Sequence, residues 1–506
     1  MKKIRNLLDR LILNWLSIIP KSIRKARSSE EAGKHTGTPK KQTYFVFAIV
    51  ALALLMSGID FTIVAVSLPT FLTDLRANLA LVGWTITGYQ FSQSIIMPIA
   101  GKLSDEWGRK RVFLVAVIVF TVSSMAAGLA PNIFWLIVFR VIQGMGGGAF
   151  LPSATGIVSD AFGERRAPAI GLFGSIFAIG GILGPNMGGF IIDNFSWRWI
   201  FFVNVPIGVI LLLFGTKVLP RSSATNNFPN RQIDIAGMGL FIGAVLAVLF
   251  AITNWANDPA GVGVVTWVLF AIGGTLFVLF IRHEDKTAQP MIETKLLRWR
   301  PFLAVNIYNF IFGAVAFGLL SFIPYYATVA YGMTAGQNGL LLTPRSVAMM
   351  VVTAVTSVFI IRFRYRIPMI IGLVLISLSL FLLSRGYHDV AVLGLGFHNL
   401  LLLALLVMLS GIGMGIANPA ANNAALDLIP EKVAAVAGIR GMARVIGGVV
   451  GTATVTLVLS YFSDQALGMQ DIYTGFAFLL LLLIPIVFLI PDSARQRRKH
   501  LGSMPE

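Results

Sequence analysis

The chain alternates long apolar runs with short polar breaks from Phe45 to about residue 490. Each run holds about 18 to 28 residues, and a run of this length can cross the hydrocarbon core of a bilayer as an α-helix. We therefore predict fourteen membrane-spanning helices, and their even number places both chain termini on the same side. The predicted spans cover residues 45–68, 82–100, 112–130, 133–152, 168–192, 198–219, 234–256, 262–281, 302–329, 338–361, 368–385, 399–420, 433–461 and 472–490.

The segment 1–43 departs from this pattern because it is polar and basic. Its apolar residues recur at helical spacing between lysines and arginines, which predicts an amphipathic helix lying on an anionic inner leaflet. A second basic segment, residues 492–506, is predicted to be a cytoplasmic tail. The apolar positions of the N-terminal helix are Ile4, Leu7, Leu8, Leu11, Trp15 and Ile19.

Composition supports an integral membrane protein. Hydrophobic residues make up 56% of the chain and charged residues only 12%, with a mean hydropathy of +0.80. The chain has no cysteine, which excludes disulfides and thiolate metal sites. All five histidines fall in predicted loops or tails, so no His-based metal site or nucleophile pair is expected. We predict no metal, no cofactor and no enzymatic activity.

Positive charge is distributed unevenly over the predicted loops. The 40 basic and 22 acidic residues give a net charge of +18. Most of the basic residues lie in the segment 1–43, the loops 101–111 and 282–300, and the tail, and cytoplasmic loops retain Lys and Arg. This asymmetry predicts a multi-pass protein of the bacterial cytoplasmic membrane with both termini inside, and it argues against a nucleic-acid partner. The exceptions are Arg76, Arg198 and Arg385 in outer loops and Arg140, Arg345, Arg440 and Arg444 within spans.

An internal repeat divides the membrane part of the chain. Residues 144–184 match residues 411–451 without a gap at a constant shift of 267 positions, so span 4 corresponds to span 12 and span 5 to span 13. Duplicated halves with a site between them are typical of secondary transporters, in which one half rocks against the other. We predict five segments: 1–43, a six-helix half 44–220, two inserted helices with linkers 221–300, a six-helix half 301–491, and the tail 492–506.

Asp60 is the only acidic residue that we place well inside a predicted span. A charge at bilayer depth costs roughly 2.5–3.5 kcal/mol on insertion scales, so a membrane-embedded carboxylate indicates a function. The rival interpretation is a solvated Asp near a helix end. We favour a proton-binding site, in which the carboxyl is protonated from outside, releases its proton inside and competes with the substrate for the same polar volume.

The predicted loop between spans 2 and 3 carries a specific signature. Residues 101–111 read Gly-Lys-Leu-Ser-Asp-Glu-Trp-Gly-Arg-Lys-Arg, in which Gly101 and Gly108 permit a tight turn. This stretch closely resembles the loop signature of the major facilitator superfamily. The resemblance implies that Asp105 and Arg109 act as a latch that holds the outward-facing state.

Span 4 contains Arg140 in the sequence Arg-Val-Ile-Gln-Gly-Met-Gly, which is similar to the arginine motif of the same family. A buried guanidinium does not deprotonate, so it holds a fixed positive potential beside an acid. The resemblance implies that Arg140 tunes the proton affinity of Asp60. A snorkelling arginine is the alternative, but Arg140 lies near the middle of its span.

Span 5 carries a glycine motif. Gly180, Gly184 and Gly188 stand one turn apart, so another helix can approach this face closely, and Pro185 is expected to kink the helix. Together with Gly189, the pattern matches the motif of the antiporters of this superfamily, and the resemblance implies export.

Two further stretches resemble the fourteen-span drug:proton antiporters, a group of multidrug exporters. They are residues 60–69 at span 1 and 197–206 at span 6, and the likeness covers essentially residues 45–491. It implies an all-α membrane protein with the major facilitator fold, two inserted helices and a proton gradient as its energy source. The chain departs from the group at Ala65, where Asn is usual, and it has no membrane acid in spans 9 to 14.

Aromatic and polar residues of several spans are candidates for a substrate cavity, because they offer flat faces and hydrogen bonds to amphiphilic molecules. Two arginines of span 13 point instead to an anionic or lipid-like client, although snorkelling to headgroups explains them equally well. The candidates are Trp84, Tyr89, Gln90, Gln93, Gln143, Asn186, Asn306, Tyr308, Asn309, Tyr325, Tyr326, Arg440 and Arg444.

Three functions stay open on the sequence. The first is a proton-coupled exporter of hydrophobic or amphiphilic compounds, cationic ones included, that works by alternating access. Its partners would be protons, small-molecule substrates and the anionic lipids of the inner leaflet. The second is an exporter or flippase of an anionic amphiphile or lipid. The third is a membrane sensor or scaffold that transports nothing, which the intact proton-site and antiporter motifs disfavour.

Overall fold

A computed structural model describes most of the chain from residue 41 onward. The described residues are 41–162, 166–220, 234–259, 262–287, 296, 298–359, 365–388, 391–392, 395–396, 398–429 and 433–492. The predicted amphipathic helix of segment 1–43 and the predicted tail fall almost entirely outside them.

A helix coincides with each of the fourteen predicted spans, and we number the helices accordingly. They are α1 Lys41–Asp74, α2 Leu79–Trp107, α3 Arg109–Gly128, α4 Ile133–Phe162, α5 Arg166–Asn194, α6a Trp199–Phe202 with α6b Asn204–Val218, α7 Ile235–Asn257, α8 Val264–Glu284, α9a Arg300–Gly313 with α9b Ile323–Tyr331, α10 Ala335–Phe359, α11 Arg366–Leu383, α12 Asn399–Leu426, α13 Val433–Leu459, and α14a Gln465–Leu482 with α14b Ile484–Val487.

The all-α fold class is confirmed. Among the described residues, twelve helices are long and apolar enough to cross a membrane, and α2 and α5 occupy the two remaining predicted spans. The described residues hold one small exception, an antiparallel pair of two-residue strands, β1 Ala391–Val392 and β2 Leu395–Gly396, between α11 and α12.

Several helices extend beyond their apolar runs because polar residues continue or cap them. Helix α14a begins at Gln465, seven positions before the predicted span, where the side chain of Asp464 accepts hydrogen bonds from two backbone amides. Helix α8 ends at Glu284 and includes His283, which we predicted to lie in a loop. The prediction for His283 was wrong because apolar periodicity stops before the helix does.

Helix 9 is interrupted between its two α-helical parts. Ala314–Gly318 form a π-helical turn, and Leu319–Phe322 form a 3-10 turn. Local changes of helical pitch of this kind often mark functional or strained positions. This interruption lies close to the interface with α13, where a side chain on Gly318 would collide with the backbone of Gly448 and Thr452.

The contacts of the repeated glycines show that α2 corresponds to α10, although these two helices share little sequence. Gly144 of α4 lies against Tyr89 of α2, and its repeat partner Gly411 of α12 lies against Arg345 of α10. Arg345 follows Tyr89 by 256 positions, and the same shift relates the partners of Gly148 and Gly415, which are Gln93 and Met349. The shift grows from 256 to 267 between α11 and α12, where the strand pair is inserted.

Basic residues after the second helix of each half stabilise the C-terminal end of its last helix. Lys110 donates to the carbonyl oxygens of Thr216 and Leu219 at 2.7 and 2.8 Å. Arg366, again 256 positions later, donates to the carbonyl oxygens of Phe488 and Ile490 at 2.7 and 2.9 Å. A cation at a helix C-terminus offsets the partial negative charge of the free carbonyls.

Candidate functional site

Asp60 lies in the middle of α1 and is completely buried. Arg140 of α4, only 1% exposed, donates from Nη1 to Oδ2 of Asp60 at 2.6 Å. The two residues predicted to form the proton site are therefore in direct contact and shielded from solvent. Removing one member of such a buried ion pair typically costs about 3–5 kcal/mol, because the remaining charge is left uncompensated.

The other carboxylate oxygen of Asp60 accepts two amide hydrogen bonds. Gln143 donates from Nε2 at 2.8 Å, and Asn204 at the start of α6b donates from Nδ2 at 2.9 Å. Asn204 also donates to the hydroxyl of Ser124 at 3.0 Å. Together with Arg140, these donors give both carboxylate oxygens of Asp60 hydrogen-bond partners.

Asn204 and Ser124 were not among the predicted site residues. Asn204 belongs to the stretch 197–206 that resembles the antiporter group, which was the available signal. Ala65 on α1 replaces the Asn that is usual in the antiporter group, which removes one expected polar neighbour of Asp60. Gln143 and Asn204 supply that polarity from two other helices.

Arg140 is fixed by contacts other than the acid. Its Nε donates to the carbonyl oxygen of Thr85 at 3.1 Å, and its Nη1 also donates to Oε1 of Gln143 at 2.8 Å. The guanidinium lies 4.0 Å from the ring centroid of Tyr89, within the range of a cation–π contact. Gln143 and Tyr89, both predicted for the substrate cavity, are thus part of the network around Asp60.

The glycines of α5 lie directly against the segment of α1 that carries Asp60. A β-carbon on Gly180 would lie 2.8 Å from the backbone of Gly58, and one on Gly184 would collide with Thr62 and the carbonyl oxygen of Ile59. Gly188 faces Ile63 in the same way. The close helix approach predicted from the glycine spacing is confirmed.

The opposite face of α5 contacts α10 in the other predicted half. Asn186 donates to the hydroxyl of Thr343 at 2.5 Å, and Ser346 donates to the carbonyl oxygen of Gly181 at 3.0 Å. The backbones of Pro185 and Gly189 also lie against α10, near Gly339 and Ala335 respectively. Helix α5 is therefore packed between the helix of Asp60 and the second half.

Contacts at one end of the molecule join the two predicted halves. Asp193 near the end of α5 accepts hydrogen bonds from the Gly336 amide at 2.7 Å and the Thr334 hydroxyl at 3.2 Å. Gly83 near the start of α2 lies against Thr456 near the end of α13. These contacts lie at the helix ends opposite to the segment 101–111.

The signature 101–111 is more helical than predicted. Helix α2 runs to Trp107, so Gly101 lies inside this helix and takes no part in a turn. A β-carbon added at Gly101 would lie 3.8 Å from the β-carbon of Pro152. Gly108 alone, with φ of 92°, separates α2 from α3. The expected turn between two glycines was wrong because the polar residues after Gly101 continue the helix.

Arg109 forms its ion pair with Asp160 at the end of α4 and donates to the carbonyl oxygen of Gly156 at 2.8 Å. The side chain of Asp105 lies outside the described residues, so its role in the latch stays a prediction. In the second half, Tyr365, 256 positions after Arg109, donates its hydroxyl to Asp427 at 2.6 Å. Asp160 and Asp427 are themselves a repeat pair, so Arg109 in one half and the Tyr365 hydroxyl in the other contact corresponding carboxylates.

The remaining cavity candidates separate into groups. Trp84 donates to Thr253 of the inserted helix α7 at 2.8 Å. Tyr325 donates to Gln465 and Tyr326 to the carbonyl oxygen of Leu383, so both tyrosines bind neighbouring helices of their own half.

The other polar and aromatic candidates lie on α9a and on α2. Asn306 and Asn309 donate to carbonyl oxygens of their own helix, while Tyr308 stacks on Phe312. Gln90 of α2 approaches Gly448 of α13, and the backbone of Gln93 packs against Gly148. The side-chain oxygens Gln90 Oε1, Asn306 Oδ1 and Tyr308 Oη are buried without a hydrogen-bond partner among the described residues.

A second polar cluster ties the inserted helices together. Asp234 caps α7 by accepting from the Gly237 amide at 2.8 Å, and its Oδ1 lies 2.8 Å from Nε2 of His283 on α8. Burial alone would raise the pKa of Asp234, but the hydrogen bonds from Gly237 and His283 outweigh it and hold the pKa below its usual value. Glu284, 2% exposed, adjoins this cluster.

Comparison with known proteins gives the same family as the motifs. The model of the Major Facilitator Superfamily matches residues 50–384 and 305–505. The Multidrug resistance protein 3 of Bacillus subtilis (strain 168) is 32% identical over 381 residues, covering 75% of this chain and 72% of the relative. The Multidrug transporter protein MdtP of the same organism is 29% identical over 433 residues, covering 85% and 78%.

A third relative is the Tetracenomycin C resistance and export protein of Streptomyces glaucescens, 29% identical over 417 residues, covering 81% of this chain and 75% of the relative. Among solved structures, a bacterial homolog of the human lysosomal transporter Spinster, inward-facing and unoccupied, superposes with a TM-score of 0.63 at 15% identity, covering 93% and 100%. The inward-open xylose transporter XylE of E. coli has a TM-score of 0.60 at 14% identity, covering 92% and 100%. These structures share the fold.

Proposed function

The chain belongs to the major facilitator superfamily, and we propose that within it the protein is a proton-driven multidrug exporter of the bacterial cytoplasmic membrane. The relatives named for multidrug transport, multidrug resistance and export support the substrate class of small hydrophobic molecules. The antiporter motif of α5 supports exchange of substrate against protons.

The observation that carries the proposal is the buried Asp60–Arg140 ion pair. Asp60 has no access to water, and its carboxylate accepts hydrogen bonds from three side chains. Protonation of Asp60 would disrupt this arrangement. A protonated Asp60 no longer balances Arg140, so gain or loss of one proton changes the packing of α1 against α4. Such a two-state element is what proton coupling requires.

Helix α5 is the element that we propose transmits this change. It contacts α1 at Gly184, which lies against Ile59 and Thr62 on either side of Asp60, and it contacts α10 of the second half at Asn186. The halves are joined at the predicted outer end, which corresponds to an inward-facing state. An ionised Asp60 in that state fits a cycle in which the proton has been released to the cytoplasm.

The driving force is sufficient for export. One proton entering the cell supplies roughly 2.3 kcal/mol per 100 mV of membrane potential and about 1.4 kcal/mol per pH unit. With 100 mV and one pH unit, this supports a substrate concentration ratio of several hundred, on the order of 500.

Reconstitution in proteoliposomes tests the proposal. Protein inserted in phosphatidylethanolamine and phosphatidylglycerol vesicles is exposed to an imposed pH gradient while a fluorescent hydrophobic substrate and internal pH are followed together. We expect substrate movement to be accompanied by counter-movement of protons in the wild type and to lose this coupling in Asp60→Asn. Coupled movement that persists in Asp60→Asn would remove the acid from the mechanism.

A further inference from the structure

Three arginines lie within the membrane helices of the second half. Arg345 is on α10, and Arg440 and Arg444 stand one turn apart on α13. Among the described residues, the ion pairs of the protein include none of the three. The Nε of each guanidinium is buried and has no hydrogen-bond partner in the part of the chain that the structure describes.

The three guanidinium groups are held near one another by neutral partners. Arg345 reaches the sulfur of Met414 at 3.5 Å, and Arg444 donates to Asn418 at 2.6 Å, on the same face of α12 one turn later. Arg440 approaches the side-chain oxygen of Asn309 at 3.4 Å. Residues four apart on a helix have β-carbons about 5–6 Å apart, so one small ligand can reach more than one of these groups.

Arg444 is oriented towards the interior and not towards headgroups. Its guanidinium lies 4.7 Å from the ring centroid of Phe312 and 5.2 Å from that of Phe317. A snorkelling arginine extends its charge into the lipid headgroups, whereas stacking on two rings keeps this charge inside the protein.

In the second half, an aromatic ring takes the position that the acid has in the first half. Gly180 packs on Gly58 of α1, and its repeat partner Gly447 packs on Phe310 of α9a. Asp60, two positions after Gly58, therefore corresponds to Phe312. Where the first half has a carboxylate bound to Arg140, the second half has an aromatic ring under Arg444, which forms no ion pair with any acid that the structure describes.

Aromatic rings connect this cluster with the proton site. Phe317 meets Phe61 of α1 edge to face, with ring centroids 5.6 Å apart, and Phe61 lies 6.3 Å from Tyr89. Tyr89 in turn underlies Arg140. An apolar molecule bound across the interface between the halves would lie on this row of rings, with Arg444 at one end.

We propose that Arg345, Arg440 and Arg444 bind the anionic head group of an amphipathic substrate, a carboxylate, sulfonate or phosphate ester, whose apolar part lies against Phe317 and Phe61. Unpaired buried guanidinium groups have donors in a geometry that matches oxyanions, and an anion satisfies the orphaned donors that neutral side chains leave open. This inference rests on the proposed export function and specifies the charge of the substrate. It replaces cationic compounds, included in the first hypothesis from the sequence, as the preferred class.

Binding to the purified full chain provides the first test. Two probes with the same apolar body and opposite charge, pyrenebutanoate and pyrenebutyl-trimethylammonium, are titrated in nanodiscs of phosphatidylcholine. We expect the anion to bind at least about tenfold more tightly, the effect of a charge-assisted hydrogen bond. Equal affinity for the two probes, or tighter binding of the cation, overturns the proposal. This comparison uses the wild-type protein alone.

Variants then assign the binding to the cluster. Arg444→Gln and Arg345→Gln are expected to weaken pyrenebutanoate binding about tenfold or more, while Arg444→Lys retains part of the affinity because it keeps the charge. Arg385→Gln is the matched control, because Arg385 is exposed at the end of α11 and stacks on Phe381. Unchanged anion affinity in folded Arg444→Gln contradicts the proposal.

Phosphatidylglycerol in the nanodiscs distinguishes a lipid head group from a free organic anion. Competition with pyrenebutanoate that disappears in Arg444→Gln assigns the site to lipids as well, and absence of competition assigns it to free anions. Both results support the shared chemistry. Competition that is equal in wild type and Arg444→Gln shows non-specific binding and overturns it.

Transport separates this inference from the proposed function. Export of a monoanion against one proton moves two charges per cycle, so a potential of about 60 mV changes the accumulation ratio roughly a hundredfold, whereas cation exchange is electroneutral and does not respond. Proton-coupled transport that ignores the potential refutes the anion site and leaves the export function standing. Arginine-dependent anion binding without any proton-coupled transport refutes the export function instead.

Discussion

The side chain of Asn204 on α6b donates a hydrogen bond of 2.9 Å to Asp60 on α1, although the two residues are 144 positions apart in the sequence. Asn204 is only 1% exposed and also donates to Ser124 of α3, so it joins the three helices α1, α3 and α6b. A hydrogen bond from an amide to a charged carboxylate is stronger than a hydrogen bond between two neutral groups.

We therefore expect Asn204→Ala to weaken proton-coupled transport and to lower the free energy of unfolding. Loss of a hydrogen bond to a charged group costs about 1.5–3 kcal/mol. Proton flux in proteoliposomes and thermal unfolding in detergent measure the two effects. Asn194→Ala is the control, since Asn194 is exposed and donates only to the carbonyl oxygen of Phe190 among the hydrogen bonds of its side chain that are described. Unchanged proton-coupled transport in folded Asn204→Ala would show that Asn204 has a structural role only.

Substitution of the acid itself has a different signature. Asp60→Asn keeps the shape of the side chain but leaves Arg140 without a counter-charge, so we expect loss of proton coupling and a fall in unfolding free energy of about 3–5 kcal/mol. Asp74→Asn at the exposed end of the same helix should change neither. Proton flux in proteoliposomes and thermal unfolding in detergent measure the two effects separately.

The double variant Asp60→Asn with Arg140→Gln distinguishes a loss of stability from a loss of proton coupling. Removing both charges should recover much of the stability, because no unpaired ion remains, while coupling stays absent. Coupling that returns in the double variant would contradict a proton site at Asp60.

Apolar runs were sufficient to predict the helices, because they are a local signal, and the resemblance of the Arg140 stretch to the arginine motif of the family indicated its pairing with Asp60. These signals were insufficient for Asn204 and Ser124, which look like ordinary polar residues until the fold brings three helices together. The equivalence of Tyr89 and Arg345 was also hidden, since backbone contacts of glycines reveal it and side-chain identity does not. His283 was assigned to a loop because a polar last turn has no apolar periodicity.

The Asp234 cluster on the inserted helices predicts a stability that depends on pH. Because the pKa of Asp234 is lowered in the folded state, its contribution is present above the unfolded value of about 3.8 and is lost as the pH falls through the folded pKa. Asp234→Asn, which still caps α7, should be less stable than wild type by about 1 kcal/mol at pH 7, the scale of a partly exposed ion pair.

Thermal unfolding of wild type and Asp234→Asn at pH 7 and pH 3 measures this difference, with Asp74→Asn as the control. The gap between the two proteins should narrow in acid and stay constant for the control. A gap that widens as the pH falls would mean that Asp234 is protonated in the folded protein at neutral pH.

Two glycines of α5, Gly181 and Gly184, allow a test of its packing between α1 and α10. A β-carbon on Gly184 would collide with the Thr62 side chain and lie 2.8 Å from the carbonyl oxygen of Ile59, whereas one on Gly181 finds Ser346 at a comfortable 3.8 Å. Gly184→Ala must push α5 away from the helix that carries Asp60, while Gly181→Ala fits the space that is present.

We expect Gly184→Ala to lose most proton-coupled transport and about 1–3 kcal/mol of stability, the usual cost of overpacking, and Gly181→Ala to retain both. Alanine improves helix propensity at both positions equally, so the difference between the variants isolates the collision. If the two variants transport alike, close contact between α5 and α1 is dispensable for coupling. If Gly184→Ala folds normally but no longer couples, the glycine row serves the transmission between Asp60 and the second half directly.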